Sequence, residues 1–277
     1  MNIGIIGLGL MGGSLGLSLK KFPNKYTIIG YDHNQKHQTD ALKLNLIDKL
    51  AKSFNEVKKC DVLVLTIPVD AIIKTTQKLI DVHEQCTIID FGSSKEKIDN
   101  AIPSNIRQNF VTAHPMTGTE KFGPTAAIEE LYTNKVMVVC EHQKSGTIQN
   151  KIALEIFQDI KAKVSFMGAR EHDRHAAFIS HMPHAVSYAI ANSVMKQEDP
   201  KSITALAGGG FRSMSRIAKS SPNMWEDIFR QNKTNLLTSI EAFNKEMALC
   251  QKLIENENWE ELHQWMGKAN GLHEILE

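Results

Sequence analysis

Three glycines spaced Gly7-x-Gly9-x-x-Gly12 follow the short apolar run Asn2 to Ile6 and precede Ser14 to Lys20, which reads as a helix. That is the spacing for cradling a pyrophosphate between a strand and a helix. Gly7 permits the tight turn, Gly9 lets the backbone approach phosphate with no Cβ in the way, and Gly12 lets the helix pack closely on the strand. The helix N-terminus adds free N–H groups and partial positive charge. A second apolar run, Tyr26 to Tyr31, ends at Asp32, 20 residues beyond Gly12. A carboxylate there accepts the adenine-ribose hydroxyls and repels a 2′-phosphate, and His33-Asn34-Gln35 supplies no arginine to receive one. Glycines alone would fit any tight strand-to-helix turn. Strand, loop, helix, strand and acid in order make this an NAD site, favoured over NADP. It is formed by Gly7, Leu8, Gly9, Leu10, Met11, Gly12 and Asp32, with Ile67, Pro68 and Ser93 at later strand ends.

His114 is the first candidate for proton chemistry. It ends the apolar run Phe110 to Ala113 and opens a loop of small and polar residues, Pro115 to Gly123. An imidazole titrates near neutrality, so it can take a proton from a hydroxyl as hydride leaves the same carbon. The alternative is a histidine hydrogen-bonded at a strand end. Ser93, at a neighbouring strand end, would orient that ring or bind substrate, or else serve only as a turn residue. Four more histidines fall in Glu171-His172-Asp173-Arg174-His175 and His181-Met182-Pro183-His184. Each pair is three apart and a proline interrupts the second, so no metal site is expected. One or two of them bind substrate and the others lie on a solvated helix face. In Gly208-Gly209-Gly210-Phe211-Arg212, continuing to Arg216, the glycines permit a close turn against a ligand or helix. Arg212 and Arg216 would share a helical face as a carboxylate clamp. Two surface arginines on a linker are the plainer alternative.

Positioning these residues requires an alternation of strands and helices. Val62 to Thr66 is a buried strand stopped by Ile67-Pro68. Thr87 to Asp90, Phe110 to Ala113, Val136 to Cys140 and Val164 to Met167 are further strands, with a helix around Ile152 to Ile160. The class is α/β, a Rossmann-type, doubly wound, mostly parallel sheet over residues 1–167, with ligands at the C-terminal strand ends. From residue 168 to 277 the pattern is helical only. Glu171 to Lys196 is one long helix that Pro183 should kink. Trp225 to Ile254 forms a second apolar stripe entered through Ser221-Pro222, and Trp259 to Ile275 a third. This all-α domain is expected to bind substrate and to bury its stripes against a second copy, giving a homodimer. With 277 residues, 32 basic and 31 acidic side chains, neither nucleic acid nor an anionic membrane is indicated as a partner. The scattered cysteines Cys60, Cys86, Cys140 and Cys250, and the absence of a leader or a bilayer-length apolar run, point to a reduced, cytoplasmic protein.

The chain resembles the prephenate/arogenate (cyclohexadienyl) dehydrogenases of tyrosine biosynthesis over nearly its full length. The resemblance rests on Gly7-Leu8-Gly9-Leu10-Met11-Gly12-Gly13-Ser14, Asp90-Phe91-Gly92-Ser93-Ser94-Lys95 and His114-Pro115-Met116-Thr117-Gly118-Thr119-Glu120. It extends to Ser180-His181-Met182-Pro183-His184 and to Gly208 through Arg216, Pro222 and Trp225. It implies NAD-dependent oxidative decarboxylation of prephenate to 4-hydroxyphenylpyruvate, carbon dioxide and NADH. His114 is then the catalytic histidine on the ring hydroxyl, Ser93 holds it near substrate and nicotinamide, and Arg216 binds a substrate carboxylate. His184 and His181 line the pocket. Thr119, Glu120 and Arg212 stand at its mouth, with Arg212 reaching in from a second subunit. Relatives carry lysine then aspartate where this chain has Arg212-Ser213, so a gating ion pair there is rewired. With nothing before Met1 or after Glu277, the resemblance is to monofunctional enzymes, in which tyrosine inhibition would act at the active site. Three alternatives remain: an arogenate-preferring member of the family, a β-hydroxyacid dehydrogenase, whose usual lysine motif is absent here, and an NAD-binding sensor without turnover.

Overall fold

The computed structural model describes residues 1–276. The chain forms two compact units, Met1–Asn232 and Lys233–Glu277. In the first, eight strands form one sheet in the order β3-β2-β1-β4-β5-β6-β7-β8. They are β1 (Asn2–Ile6), β2 (Thr27–Tyr31), β3 (Lys49–Leu50), β4 (Val62–Leu65), β5 (Thr87–Asp90), β6 (Phe110–Pro115), β7 (Val136–Cys140) and β8 (Lys163–Met167). Strands β1 to β6 are parallel, in the order of a dinucleotide-binding fold whose switch point lies between β1 and β4. Strand β7 returns antiparallel to β6, with His114 opposite Val138, and β8 pairs parallel to β7. The two-residue β3 carries too little pattern to be read from sequence. Strand β6 extends past Ala113 because pairing with β7 continues to Pro115, so His114 sits within the strand.

Helices cover both faces. The connecting helices are α1 (Leu10–Leu19), α2 (Gln35–Lys43), α3 (Phe54–Val57), α4 (Val69–Thr76), α5 (Glu96–Ala101) and α6 (Thr147–Asp159). Strand β4 shows why the central strands read as unbroken apolar runs. Val62 and Val64 join the core containing Leu15 and Phe157, whereas Leu63 and Leu65 point to the opposite core with Ile72 and Ile98. Close backbone approach demands glycine in α1. A Cβ on Gly16 would lie 2.0 Å from the carbonyl oxygen of Leu46, and one on Gly12 would lie 1.9 Å from that of Gly7.

The helical run begins with α7 (Ala169–Ala176), a π-turn (Ala177–His181) and α8 (Met182–Gln197). The expected disruption at Pro183 takes the form of that π-turn, one turn earlier: Met182 N–H donates to Ala177 O, five residues back. Pro183, with no N–H to give, then enters the first turn of α8, where none is needed. Helices α9 (Pro200–Leu206) and α10 (Gly209–Ser215), a 3₁₀ turn (Arg216–Lys219) and α11 (Pro222–Gln231) complete the unit. Helix α11 packs on α4, where Asp227 Oδ2 accepts the Val69 N–H at 3.1 Å and Arg230 pairs with Asp70 at 2.6 Å. The sequence stripe from Trp225 to Ile254 is broken at Asn232. Its side-chain amide donates to Asp173 O at 2.6 Å, and its backbone (φ −108°, ψ 30°) leaves the helical region. The second unit is α12 (Lys233–Glu255) and α13 (Trp259–Leu276), a helical hairpin tied by Trp265 Nε1 donating to Glu246 at 2.8 Å. No described helix is long and apolar enough to cross a membrane.

Because the Leu46 carbonyl cannot retreat without moving the β2–β3 connection, Gly16→Ala is expected to cost about 2–3 kcal/mol. Urea denaturation checks this, and an unchanged midpoint would refute the close approach.

Candidate active site

The cofactor end is built at the tip of β1. Gly7, at φ +100°, turns the chain and donates its N–H to Tyr31 O at 2.9 Å. The Thr66 hydroxyl, at the end of β4, donates to Gly7 O at 2.6 Å. Gly9 is the N-cap of α1, so the helix starts at Leu10, inside the glycine motif. Met11 and Gly12 follow in its first turn and leave their N–H groups free for an anion. A Cβ on Gly9 would have nothing within 4 Å, in contrast to the filled surroundings of Gly7 and Gly12. The open space at Gly9 is where a bound pyrophosphate would approach the backbone. Asp32 closes the other side: its Oδ2 accepts the Leu8 N–H at 2.7 Å and its Oδ1 the Asn34 N–H at 2.8 Å, leaving further lone pairs for ribose hydroxyls. Its other neighbours are the rings of His33 and His37, each 3.4 Å away, and no arginine. These residues fit NAD. Ile67 and Pro68 follow β4, with Ile67 against Gly7.

The chemical end lies on β5 and β6, two and three strands from β1. Pairing of Asp90 with Thr112 carries Gly92-Ser93 alongside His114 at the C-terminal edge of the sheet. His114 is partly buried, and its Nδ1 lies 2.8 Å from Nε2 of His172. His172 Nδ1 in turn lies 2.8 Å from Asp173 Oδ1. Burial holds the His114 ring well below its ordinary titration range, and the neighbouring His172, Lys95 and His181 push the same way. It is therefore neutral at pH 7 and able to accept a proton.

On the helical side, His184 stacks on the Trp225 indole with ring centroids 3.5 Å apart, while its Nδ1 lies 2.9 Å from Ser180 O. Burial lowers its pKa, and the Arg216 cation adds to the shift after the Ser180 carbonyl partly opposes it. The histidine motif and Arg216 are therefore brought together. His181 is 1% exposed, edge-on to Trp225, and its Nδ1 lies 3.2 Å from the Asn232 amide. Arg212 is exposed and its Nε donates to Ala207 O at 3.0 Å, so in this structure it turns back to its own helix start rather than forming a clamp with Arg216. Gly208, Gly209 and Gly210 begin α10, and no neighbouring element approaches where their Cβ atoms would be. Thr119 and Glu120 lie on the loop after β6, where Thr119 Oγ1 accepts the Lys121 N–H at 3.2 Å.

Sequence reasoning missed the groups behind His114. His172, assigned either to substrate or to a solvated face, is 2% exposed, and Asp173 is 3% exposed. Lys95, quoted only within a motif, is wholly buried; its ammonium is bonded to Asp90 and donates to Ala113 O at 2.8 Å. The signal was available: Ala169, His172, Asp173 and Ala176 recur at helical core spacing, with Glu171 and Arg174 on the outside. Among the described residues no group of three His, Cys, Asp or Glu side chains is arranged to hold a metal.

A parallel sheet in this order, a glycine cradle at its switch point and a neutral, partly buried imidazole at the end of β6 define an NAD-dependent dehydrogenase. Residues 15–166 match the profile of the prephenate dehydrogenase nucleotide-binding domain, and residues 168–268 that of the prephenate dehydrogenase dimerization domain. The chain belongs to the prephenate dehydrogenase family. It is 33% identical to the prephenate dehydrogenase of Bacillus subtilis over 280 aligned residues, covering 98% of this chain and 75% of that protein. The crystal structure of prephenate dehydrogenase from Aquifex aeolicus in complex with hydroxyphenyl propionate and NAD+ superposes with a TM-score of 0.92. It is 32% identical, with 100% of this chain and 98% of that one covered. Synechocystis arogenate dehydrogenase superposes at 0.82 with 26% identity over the whole of both chains.

Two kinds of outcome, in cofactor binding and in acid stability, follow from this geometry. Gly9→Val is expected to leave the denaturation midpoint nearly unchanged yet weaken NAD about tenfold or more, roughly 1.4 kcal/mol, in a binding titration. Asp32→Ala should weaken NAD more than NADP, and equal losses would remove Asp32 from the ribose. The second concerns acid stability. Burial holds folded His181 near a pKa of about 4 against an ordinary 6.5, so the unfolded chain binds a proton that the fold refuses. Stability from this group is present above about 6.5 and is lost as pH falls towards 4, by on the order of 3 kcal/mol. Denaturant titrations at pH 7 and pH 4 should differ less in His181→Asn than in the wild type.

Proposed function

We propose that this chain oxidatively decarboxylates prephenate with NAD, yielding 4-hydroxyphenylpyruvate, carbon dioxide and NADH. The observation that carries the reading is a neutral imidazole, His114, at the end of β6 on the same sheet edge as the dinucleotide cradle, within a chain of the prephenate dehydrogenase family. NAD, when bound, supplies the acceptor for the hydride leaving the ring carbon that bears the hydroxyl. His114 takes the hydroxyl proton as that C–H electron pair departs; loss of the opposite carboxylate as carbon dioxide sends its electron pair into the ring, which becomes aromatic, and the phenolate oxygen takes the proton back from His114. Ser93, alongside at the neighbouring strand end, holds the hydroxyl between ring and cofactor. Arg216 binds a substrate carboxylate, and His184 on Trp225 forms the wall next to it. Thr119, Glu120 and Arg212 stand at the mouth, where a bound anion would draw Arg212 from Ala207. His181 buttresses the wall from beneath.

Functionally the chain divides at residue 168, with residues 1–167 holding NAD and 168–277 forming the substrate-binding and dimerisation part. We further propose a homodimer. The match to a dimerization-domain profile supports it, as do the exposed apolar side chains Met247, Ile254, Met266 and Leu272 on α12 and α13. A cytoplasmic location is in keeping with four unpaired cysteines.

The test is NADH appearance with purified protein, offering prephenate and arogenate in turn with NAD and NADP. Prephenate with NAD is the pair expected to turn over fastest. Arogenate leading would reassign the substrate, and no turnover while NAD still binds would favour a sensor. His114→Ala should lower kcat by ~10²–10⁴-fold with NAD affinity kept. In the wild type the rate should stay flat through neutral pH and fall only well below 6.5, where the depressed His114 finally protonates.

A further inference from the structure

We propose that His172 and Asp173 are a positioning pair that fixes the tautomer of His114, placing its proton on Nδ1 and leaving Nε2 bare to accept the substrate's proton. This rests on the reading of His114 as the base. Asp173 is the anchored end of the pair. Its Oδ1 accepts the Lys95 N–H at 2.7 Å and its Oδ2 the Glu96 N–H at 3.0 Å. Burial alone would raise its pKa, yet bonds from His172 and those two backbone N–H groups leave it below the ordinary carboxylate range, so it is ionised. A carboxylate has no proton to donate, so His172 Nδ1, 2.8 Å away, must be the donor. In a neutral His172 ring Nε2 is then bare. With His172 in that neutral form, the contact of 2.8 Å between His172 Nε2 and His114 Nδ1 is made by a proton on the His114 side. His114 Nε2 is therefore left as an acceptor, with no rotation or proton shuffle needed before reaction.

The pair is held rather than adventitious. The two rings meet edge to face, with centroids 5.0 Å apart at 73°, and His172 is 2% exposed. The Asp173 carbonyl accepts the Asn232 amide at 2.6 Å, which anchors α7 beside the strand ends. The charged and titratable groups facing His114 are His172 on α7, Lys95 after β5 and His181 on the π-turn, and those facing Asp173 are His172, His181 and the neutral thiol of Cys140 on β7. Only Asp173 is anionic among them. When His114 gains a proton at Nε2, its Nδ1–H already points along the chain to that carboxylate, which steadies the new positive charge in a setting otherwise hostile to it.

The test uses full-length protein with ¹⁵N-labelled histidine, the His114 resonances being assigned by their loss in His114→Ala. At neutral pH the spectrum should show His114 protonated at Nδ1 and bare at Nε2; a proton on Nε2 overturns the proposal. In kinetics, His172→Phe should lower kcat by ~10²–10⁴-fold, the scale of a wrong tautomer, with KM and NAD affinity changed less than about threefold. His172→Gln, whose amide oxygen can still accept the Nδ1–H, should recover most of that loss. Wild-type kcat in His172→Phe, or a Gln variant as slow as the Phe one, would overturn it. Should the Phe variant fail to fold, the spectrum and the Gln variant still decide. Turnover surviving in His114→Ala would refute the base reading alone, because the tautomer is read independently of rate.

Discussion

Lys95 is wholly buried, and the site depends on what its two ends hold. Its ammonium is bonded to Asp90 at the end of β5 and donates to Ala113 O in β6, directly before His114. Its backbone N–H caps Asp173 on α7. One residue thus ties together two neighbouring strand ends and the helix carrying the partner of His114. A buried ion pair is weak evidence of stability, since desolvation opposes the Coulomb gain, and burial indeed drives the Asp90 pKa upward. Its value here is positional. Removing the ammonium would leave Asp90 buried without its cation and would release the strand end that aims the imidazole.

The sheet supplies the remaining constraint. Parallel strands β1 to β6 deliver every cradle and strand-end residue to one edge, so the glycine turn, Asp32, Ser93 and His114 need no long loops to meet. Helix α11, through Asp227 on the first turn of α4, brings Trp225 and therefore the His184 wall to that same edge. The part of the helical run that carries the substrate-side histidines thus packs within the same compact unit as the sheet, although the sequence changes character at Gly168.

Residues with a single physical job were legible in the sequence. Gly7 and Gly12 must be glycine because backbone oxygens stand where a Cβ would be, and Val62 to Leu65 reads as buried because it faces two cores. His114 was legible because it ends such a run. What escaped was polar burial. Glu171-His172-Asp173-Arg174-His175 looks solvated by composition, yet the helix turns only Glu171, Arg174 and, in part, His175 outward. His172 and Asp173 could be inferred only by applying core spacing to polar residues. The break at Asn232 had no local signal, since its cause is a bond to Asp173, 59 residues away. The consequence of Pro183 was legible, but its form was not: a proline entering a helix can be met by a kink or by a preceding π-turn, and packing decides between them.

Proton abstraction and anion binding make opposite demands on one pocket. A base must be neutral before reaction, which burial beside Lys95, His172 and His181 enforces at His114. Cations that bind carboxylates must keep their charge and reach the ligand, which favours exposure, and Arg212 and Arg216 are both exposed. In the proposed site the two are separated by depth. The imidazoles lie against the sheet and α7, while the guanidinium groups sit on α10 and the 3₁₀ turn beyond it, with half-buried His184 between them. Arg216 also discourages a positive charge on His184, so unpaired cationic charge stays at the mouth and diminishes inward, where the buried Lys95 ammonium is paired with Asp90. A doubly anionic substrate would be oriented by that gradient, with its carboxylates drawn outward and its hydroxyl left for the neutral ring at the bottom.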